Sequence, residues 1–376
     1  MALSNVRHGF KRRLYLSQAK ESSYGTAATL THVFDLLENS DVPVLDVANA
    51  TDGELASGVE YPVKQYTLER SLNSPTFRMW ASPASVGWSF AYALGDDAVT
   101  DTTGDYRHLI SPIAIGSFIG SFTMQHHGGG ATVDTNTDTK FSGCVVESVE
   151  LTGGRTGFLQ LALKLSSAVA AIATGSSQTE SGLDKAEAYI PVNKCKWTIV
   201  AASAENTSEW SGTYTQPTST GVMANSLSTD ISQHVESFAI RHVNPIVADR
   251  AAGSSSGVGI YAAQPVITRR STEIDLTLVL DDTTDDFIKA LQNSTHTDNA
   301  EYTLAMEFVT DVAVSGGNVL YSGYILFPLV GFRETPKPSS TFGAQMLDVK
   351  FFAKHDTTYG PIRVYVNNAE SAVYNA

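Results

Sequence analysis

The chain has 376 residues, 42% apolar and 17% charged, with a formal net charge of −14 and two cysteines. That length suits two domains, or one large β or α/β domain. The acidic balance argues against a nucleic-acid clamp, which needs Lys and Arg in excess on one face, and Cys144 and Cys195 are too few for a disulfide framework or a zinc site, so both read as free thiols in half-buried strands, with a single bridge between them as the lesser alternative.

In chain order, "MALSNVRHGFKRRLYLSQAK" is basic but lacks the apolar core of a signal peptide, and no later run is long enough to cross a membrane as a helix. Cytoplasmic synthesis and assembly is the expectation. "LTHVFDLLENS" (30–40) has apolar spacing that suits a helix, and "FRMWASPASVGWSFAYALG" carries a helical pattern interrupted by Pro83. The clearest signal is 141–166, "FSGCVVESVELTGGRTGFLQLALKLS". Val145, Val149 and Leu151 fall on one side of a strand. After a Gly-rich turn, Leu159, Leu161, Leu163 and Leu165 fall on one side of the next, opposite Gln160 and Lys164. Period two, turn, period two predicts a β-hairpin with one buried face. Burying those four leucines is worth on the order of 6–12 kcal/mol as an upper estimate.

The stretch 166–230 is polar and rich in Ala, Ser, Thr and Gly, and strand patterning resumes at "YIPVNKCKWTIVA". A boundary is placed there, dividing the chain into 1–187 and 188–376. Alternation returns in "TEIDLTLVLDD" (Ile274, Leu276, Leu278 and Leu280 against Glu273, Asp275 and Thr277), in "EYTLAMEF" and in "AQMLDVKFFA". Between the first two, "DTTDDFIKALQNS" suits an N-capped helix of two or three turns. The fold class expected is mainly β, with antiparallel sheets dry on one side and one short helix per half.

Two motifs invite a hydrolase reading: His126-His127-Gly128-Gly129-Gly130 is written like part of a lipase oxyanion hole, and Gly253-Ser254-Ser255-Ser256-Gly257 fits the nucleophile-elbow pattern. The elbow requires a strand running into a long helix on a parallel sheet, and Pro265 ends any helix soon after Ser255. The glycines are explained equally well by a loop needing positive φ. Adjacent histidines on a strand point to opposite faces, so no metal site follows, and Asp281, Asp282, Asp285 and Asp286 lack EF-hand spacing. No catalytic, cofactor or metal site is expected.

Several segments stand in a telling order: "AKESSYGTAAT" (19–29), "ALGDD", "YRHLISP" (106–112), "SFTMQ" (121–125), the 141–166 hairpin, "HVESFAIRHVNPIVADR", "PVITRRSTEIDLTLVLDD" and "YILFPLVGFRETPKP". In these segments and their order the chain resembles the tail tube (major tail) proteins of long-tailed bacteriophages. The polar 166–230 region with "SGTYTQPTS" departs from that likeness.

The resemblance implies a non-catalytic virion protein of two tandem antiparallel β-sandwich domains of the tail-tube type, each with one short helix and long extended loops. Three chains would make a pseudo-sixfold ring, and rings would stack into a tube that delivers the genome. Its partners would be further copies of itself, a tape-measure protein, and tail terminator and distal tail proteins. Viral DNA would pass through the lumen without specific binding, and no membrane or cofactor would be involved. The setting implied is the virion tail, of the non-contractile type. Candidate lumen-facing groups are Glu147, Glu150, Gln160 and Lys164 in the first half and Glu273, Asp275 and Thr277 in the second, with a solvated outer face as the alternative. A lining of carboxylates and hydroxyls would keep DNA from sticking. Other readings are a capsid-decorating or receptor-binding β-sandwich module and, more remotely, a serine hydrolase using Ser255.

Overall fold

The computed structural model describes residues 12–51, 65–101, 106–114, 117–128, 138–176, 178, 184–185, 188–201, 229–249, 264–282, 284–286, 289, 301–314, 319–339, 345–357 and 359–376. It is mainly β, with several antiparallel sheets, one of them large. The first half runs through β1 (Arg12–Ser17), β2 (Leu30–Asp35), β3 (Leu45–Thr51), β4 (Gln65–Leu72) and β5 (Thr76–Trp80) to helix α1 (Pro83–Leu94). It continues as β6 (Gly95–Asp101), β7 (Tyr106–Pro112), β8 (Phe122–Gly128), β9 (Thr139–Cys144), β10 (Val146–Gly153), β11 (Gln160–Leu165), β12 (Ala171–Thr174) and β13 (Asp184–Lys185). The second half holds β14 (Cys195–Ala201), β15 (Thr229–Asp230), β16 (Val235–Val243), β17 (Ile246–Asp249), β18 (Gln264–Ile267) and β19 (Ser271–Val279). A helical turn capped by Asp281 follows, with 282 and 284–286 described and most of the helix expected from 281 to 294 lying outside the described residues, then β20 (Glu301–Ala313), β21 (Leu320–Phe332), β22 (Lys337–Ser339), β23 (Met346–Ala353) and β24 (Arg363–Asn368).

The large sheet has the order β15-β14-β20-β21-β23-β19-β16-β10-β11-β5, with β24, β7 and β6 branching from β21 and β22 pairing with β23. A six-stranded sheet, β12-β9-β8-β1-β2-β13, is hydrogen-bonded separately but shares the large sheet's apolar core through Leu14, Leu16, Phe34, Met124 and Phe141, and β3–β4 and β17–β18 are two-stranded ribbons. The alternating strands fold as their period dictates: Val149, Leu151, Leu161, Leu163, Leu165, Ile274, Leu276, Leu278, Leu347, Val349 and Phe351 are all buried. Cys144 is buried at the end of β9 and Cys195 half-buried at the start of β14, both free thiols.

Residues on either side of position 187 share one sheet and one apolar cluster. The β10–β16 ladder runs from Ser148↔Val243 to Gly153↔Phe238. Asn244 pins that joint, its Nδ2 donating to Ala93 O at the end of α1 and to Val146 O. Ile190 donates to Ala81 O and accepts from Leu159 N, while β24 lies between β21 and β7.

The two halves repeat one local plan. A two-stranded ribbon (β3–β4 or β17–β18) returns to a strand (β5 or β19), and each strand ends two residues before a helix N-cap. Both caps are reciprocal boxes: Ser85 N donates to Ser82 Oγ and Ser82 N to Ser85 Oγ, while Thr284 N donates to Asp281 Oδ1 and Asp281 N to Thr284 Oγ1.

Three expectations are corrected. Residues 30–40 are not a helix: they form β2 and a turn, because both faces of the strand are covered. His32 and Phe34 meet Tyr374 and Trp88 on one side, while Leu30 and Val33 join Tyr15 on the other. Cover on both sides spaces apolar residues as a helix would. Pro83 does not interrupt its segment but opens α1, since the first helical position needs no N–H. And β20 is not dry on one side only: Thr303, Ala305 and Glu307 are buried as well, because Ala305, Tyr324, Leu326 and Tyr365 form a second cluster there.

Candidate functional site

The strands β5, β11, β10, β16, β19 and β23 turn their apolar side inward and leave the opposite face open. Every candidate lumen residue, Glu147, Glu150, Gln160, Lys164, Glu273, Asp275 and Thr277, lies on these strands among the half-buried or exposed positions of that face. The ladders set them in rows across the sheet. One row reads Arg78, Ala162, Glu150, Arg241, Glu273, Phe352. The next reads Trp80, Gln160, Thr152, Ala239, Asp275, Lys350, and a further one Ser237, Thr277, Asp348, Lys337.

Opposite charges therefore stand on neighbouring strands, the arrangement that favours cross-strand pairs. Arg241 bonds Glu150, and Arg333 bonds Glu273. Lys164 Nζ lies 2.5 Å from Glu147 Oε1, and Thr277 Oγ1 donates to Asp348 Oδ1 at 3.0 Å. Glu334 accepts from Lys350 and Lys337, which hold its carboxyl down at about 2. The bond to Glu150 pushes the Arg241 pKa up, against a smaller effect of burial. The partly exposed Arg241–Glu150 pair contributes roughly 0–1 kcal/mol, so the main consequence of these pairs is a potential close to neutral. Glu147, Glu150, Glu273, Asp275, Glu334 and Asp348 are matched by Arg78, Lys164, Arg241, Arg333, Lys337 and Lys350. The chain's net charge of −14 is not concentrated on this face. The open face is charge-balanced because its bases come from β5, β11, β16, β22, β23 and the connector after β21.

The lipase-like motif sits elsewhere. His126 and His127 belong to β8, whose backbone is laddered to β1 on one side and β9 on the other, so those N–H groups are engaged in the sheet. His127 Nδ1 lies 2.9 Å from Asp138 Oδ2, and the His126 ring stacks on Phe77. Gly129, Gly130 and the Gly253–Gly257 stretch lie outside the described residues. Among the described residues no group of three or more His, Cys, Asp or Glu could hold a metal ion, and no helix is long and apolar enough to cross a membrane.

Sequence reasoning missed two buried polar centres. Glu21, within "AKESSYG", accepts from Gly25 N, Ser121 Oγ, Thr123 Oγ1 and Gly143 N, tying that turn to β8 and β9. His108 places Nδ1 2.9 Å from Asp97 Oδ2 and Nε2 3.0 Å from Glu370 O, while Tyr374 N donates to the same Asp97 oxygen. Partners this distant in sequence leave no local spacing signal. Also unforeseen is an apolar groove of about 730 Å³ between the loop after β7 and the strand β18, walled by Pro112, Ile113, Phe118, Val266 and Ile267, with Arg269, Arg270 and His355 at its border.

The fold and face together define a mainly β protein whose large antiparallel sheet presents a broad, charge-balanced surface. No family model and no curated protein matches the chain.

Proposed function

We propose that this chain is a tail tube protein of a long-tailed bacteriophage, a non-catalytic virion protein whose copies close into rings and stack around a channel for the genome. The observation that carries the reading is the open face. It crosses both halves without a break, and its paired charges give DNA neither cations to grip nor a field of carboxylates to climb. The repeated plan of ribbon, strand and boxed helix cap supports two tandem tube-type β-sandwich domains, 1–187 and 188–376, joined through β10 and β16. Three chains then supply six such units to a ring, with the open faces inward. A tape-measure protein fills the bore during assembly, terminator and distal tail proteins close its ends, and the setting is the virion tail, built in the bacterial cytoplasm. Electron microscopy of the purified protein at rising concentration tests the reading. Stacked rings or tubes with a central channel are expected, and discrete particles without annular order at every concentration overturn it.

A further inference from the structure

The groove beside β18 has no part in the open face. At about 730 Å³ and walled by Ile113, Phe118, Val266 and Ile267, it has the size and the apolar lining of a small-molecule site. Its walls have little backbone hydrogen bonding left to offer. Pro112, Pro265 and Pro361 carry no N–H, and Ile113 N, Ser117 N, Thr268 N and Gly360 N already donate to Leu94 O, Ala114 O, Pro245 O and Asp356 O. A peptide, with polar groups spaced along its length, would leave many of them unpaired there. An occupant with an apolar body and one polar end would not.

The charge in the groove has one sign. Arg270 is half-buried, Arg269 and His355 are exposed at the border, and no acid is among the described lining residues. Arg270 Nη1 donates to Ile113 O at 3.2 Å, which ties one wall to the other. No carboxylate among the described residues pairs with this guanidinium, and burial pushes its pKa down with nothing opposing. An anion would offset that cost. The edge formed by Nε and Nη2 is left over, and it is the fork that matches a carboxylate with two parallel bonds.

We infer that this groove binds a single-chain fatty carboxylate, its head on the Nε–Nη2 edge of Arg270 and its acyl chain along Ile113, Phe118, Val266 and Ile267. The inference does not depend on the tube reading.

Calorimetric titration of the full chain with octanoate, decanoate and dodecanoate, each below its micelle-forming concentration, tests it. One saturable site per chain is expected, with affinity rising by up to about fourfold per methylene. Decyltrimethylammonium, with the same chain length and the opposite charge, should bind about tenfold or more weakly than decanoate, and Arg270→Gln should weaken decanoate by a like factor. Because that substitution also removes the bond to Ile113 O, Val266→Asp gives a second reading. Val266 is 46% exposed, so the fold is kept, and a carboxylate on the wall should again cost about tenfold in decanoate affinity. Leu68→Asp, exposed on β4 and away from the groove, should bind as the wild type does. Absence of binding, binding that does not saturate, equal affinity for decanoate and decyltrimethylammonium, or wild-type affinity in either groove variant would each overturn the inference. So would tighter binding of an apolar tetrapeptide with a free C-terminal carboxylate than of decanoate, which would assign the groove to a polypeptide.

Discussion

Acidification should loosen the joint between the two halves through one buried ring. His242 is 1% exposed, on β16 where it pairs with β10. Asn244 spends its Nδ2 on Ala93 O and Val146 O, so its Oδ1 faces the ring and accepts from His242 Nε2, while His242 Nδ1 accepts from the Thr272 hydroxyl. Both nitrogens are satisfied by the neutral ring. Burial is the main cause that pushes its pKa down to about 4 from an ordinary 6.5, with the Asn244 bond opposing and Arg270 assisting. The folded value lies below the unfolded one, so the folded state binds fewer protons. Its stabilisation is full above the unfolded value and is lost as pH falls toward the folded one. At ~1.4 kcal/mol per pKa unit, that gap amounts to about 3 kcal/mol lost between neutral pH and about pH 4. Urea unfolding of the wild type and of His242→Gln at both pH values isolates it. The surface carboxylates titrate in both proteins and cancel, so the wild type should lose about 3 kcal/mol more than the variant on acidification. Parallel losses would refute the assignment of a neutral, buried ring.

Other outcomes follow from the same geometry. Tyr374 is fully buried beside His108 and receives a bond from Asn368; Tyr374→Ala should cost about 3–5 kcal/mol and open the last residues to carboxypeptidase, whereas Tyr374→Phe should cost about 1. Gly143 holds φ +76°, and an added Cβ would lie 2.6 Å from Ala170 Cβ and 2.7 Å from its backbone nitrogen. Gly143→Ala should therefore lower the melting temperature clearly more than Gly157→Ala, which has φ +94° but open space around it and should cost only about 1–2 kcal/mol. Glu150→Lys with Glu273→Lys adds two charges per substitution, four per chain, and leaves Arg241 and Arg333 facing new cations. Assembled wild-type protein should retain no DNA in a filter assay, and the double variant should hold it with an affinity that falls steeply as salt rises. Equal retention by both would remove this face from contact with DNA.

The half of the fold carried by simple alternation was legible because a strand's side chains switch faces at every residue, and β10, β11, β19 and β23 each have only one covered face. The candidate residues of the open face could be named for the same reason. Their charge balance could not, since Arg241 and Arg333 reach Glu150 and Glu273 from strands and loops 91 and 60 residues away. Where two faces are covered the period blurs, which is why β2 looks helical and β20 looks one-sided. The start of α1 was obscured because a proline reads as a breaker unless the cap before it is recognised, and Ser82 is such a cap.

The open face also ends bluntly at both margins, and that bears on how such a sheet survives as a free chain. At one margin the edge of β5 is already occupied. Leu37 N and Asp41 N donate to Arg78 O and Thr76 O, Asp41 Oδ2 and Ser40 Oγ accept from Thr76 N and Arg78 N, and Arg12 takes up the carbonyls of Ser40 and Asp41. At the other, β22 carries Pro338, which has no N–H to give, so its ladder with β23 runs through the neighbouring residues and the free edge there offers a carbonyl without a donor. A covering turn and an edge proline are the devices that keep unpaired strands from recruiting one another indiscriminately. Growth by simple strand addition is thereby disfavoured at both margins. Neighbouring copies must therefore meet through side chains, or displace the 37–41 turn from β5 first. The second route has a visible cost in the bonds just named, and it would make assembly slow in dilute solution and dependent on a surface that compensates for them. Hydrogen exchange at Arg78 and Thr76 N–H separates the two routes: both amides stay protected through assembly if side chains make the contact, and pass through an exposed state if the turn must leave.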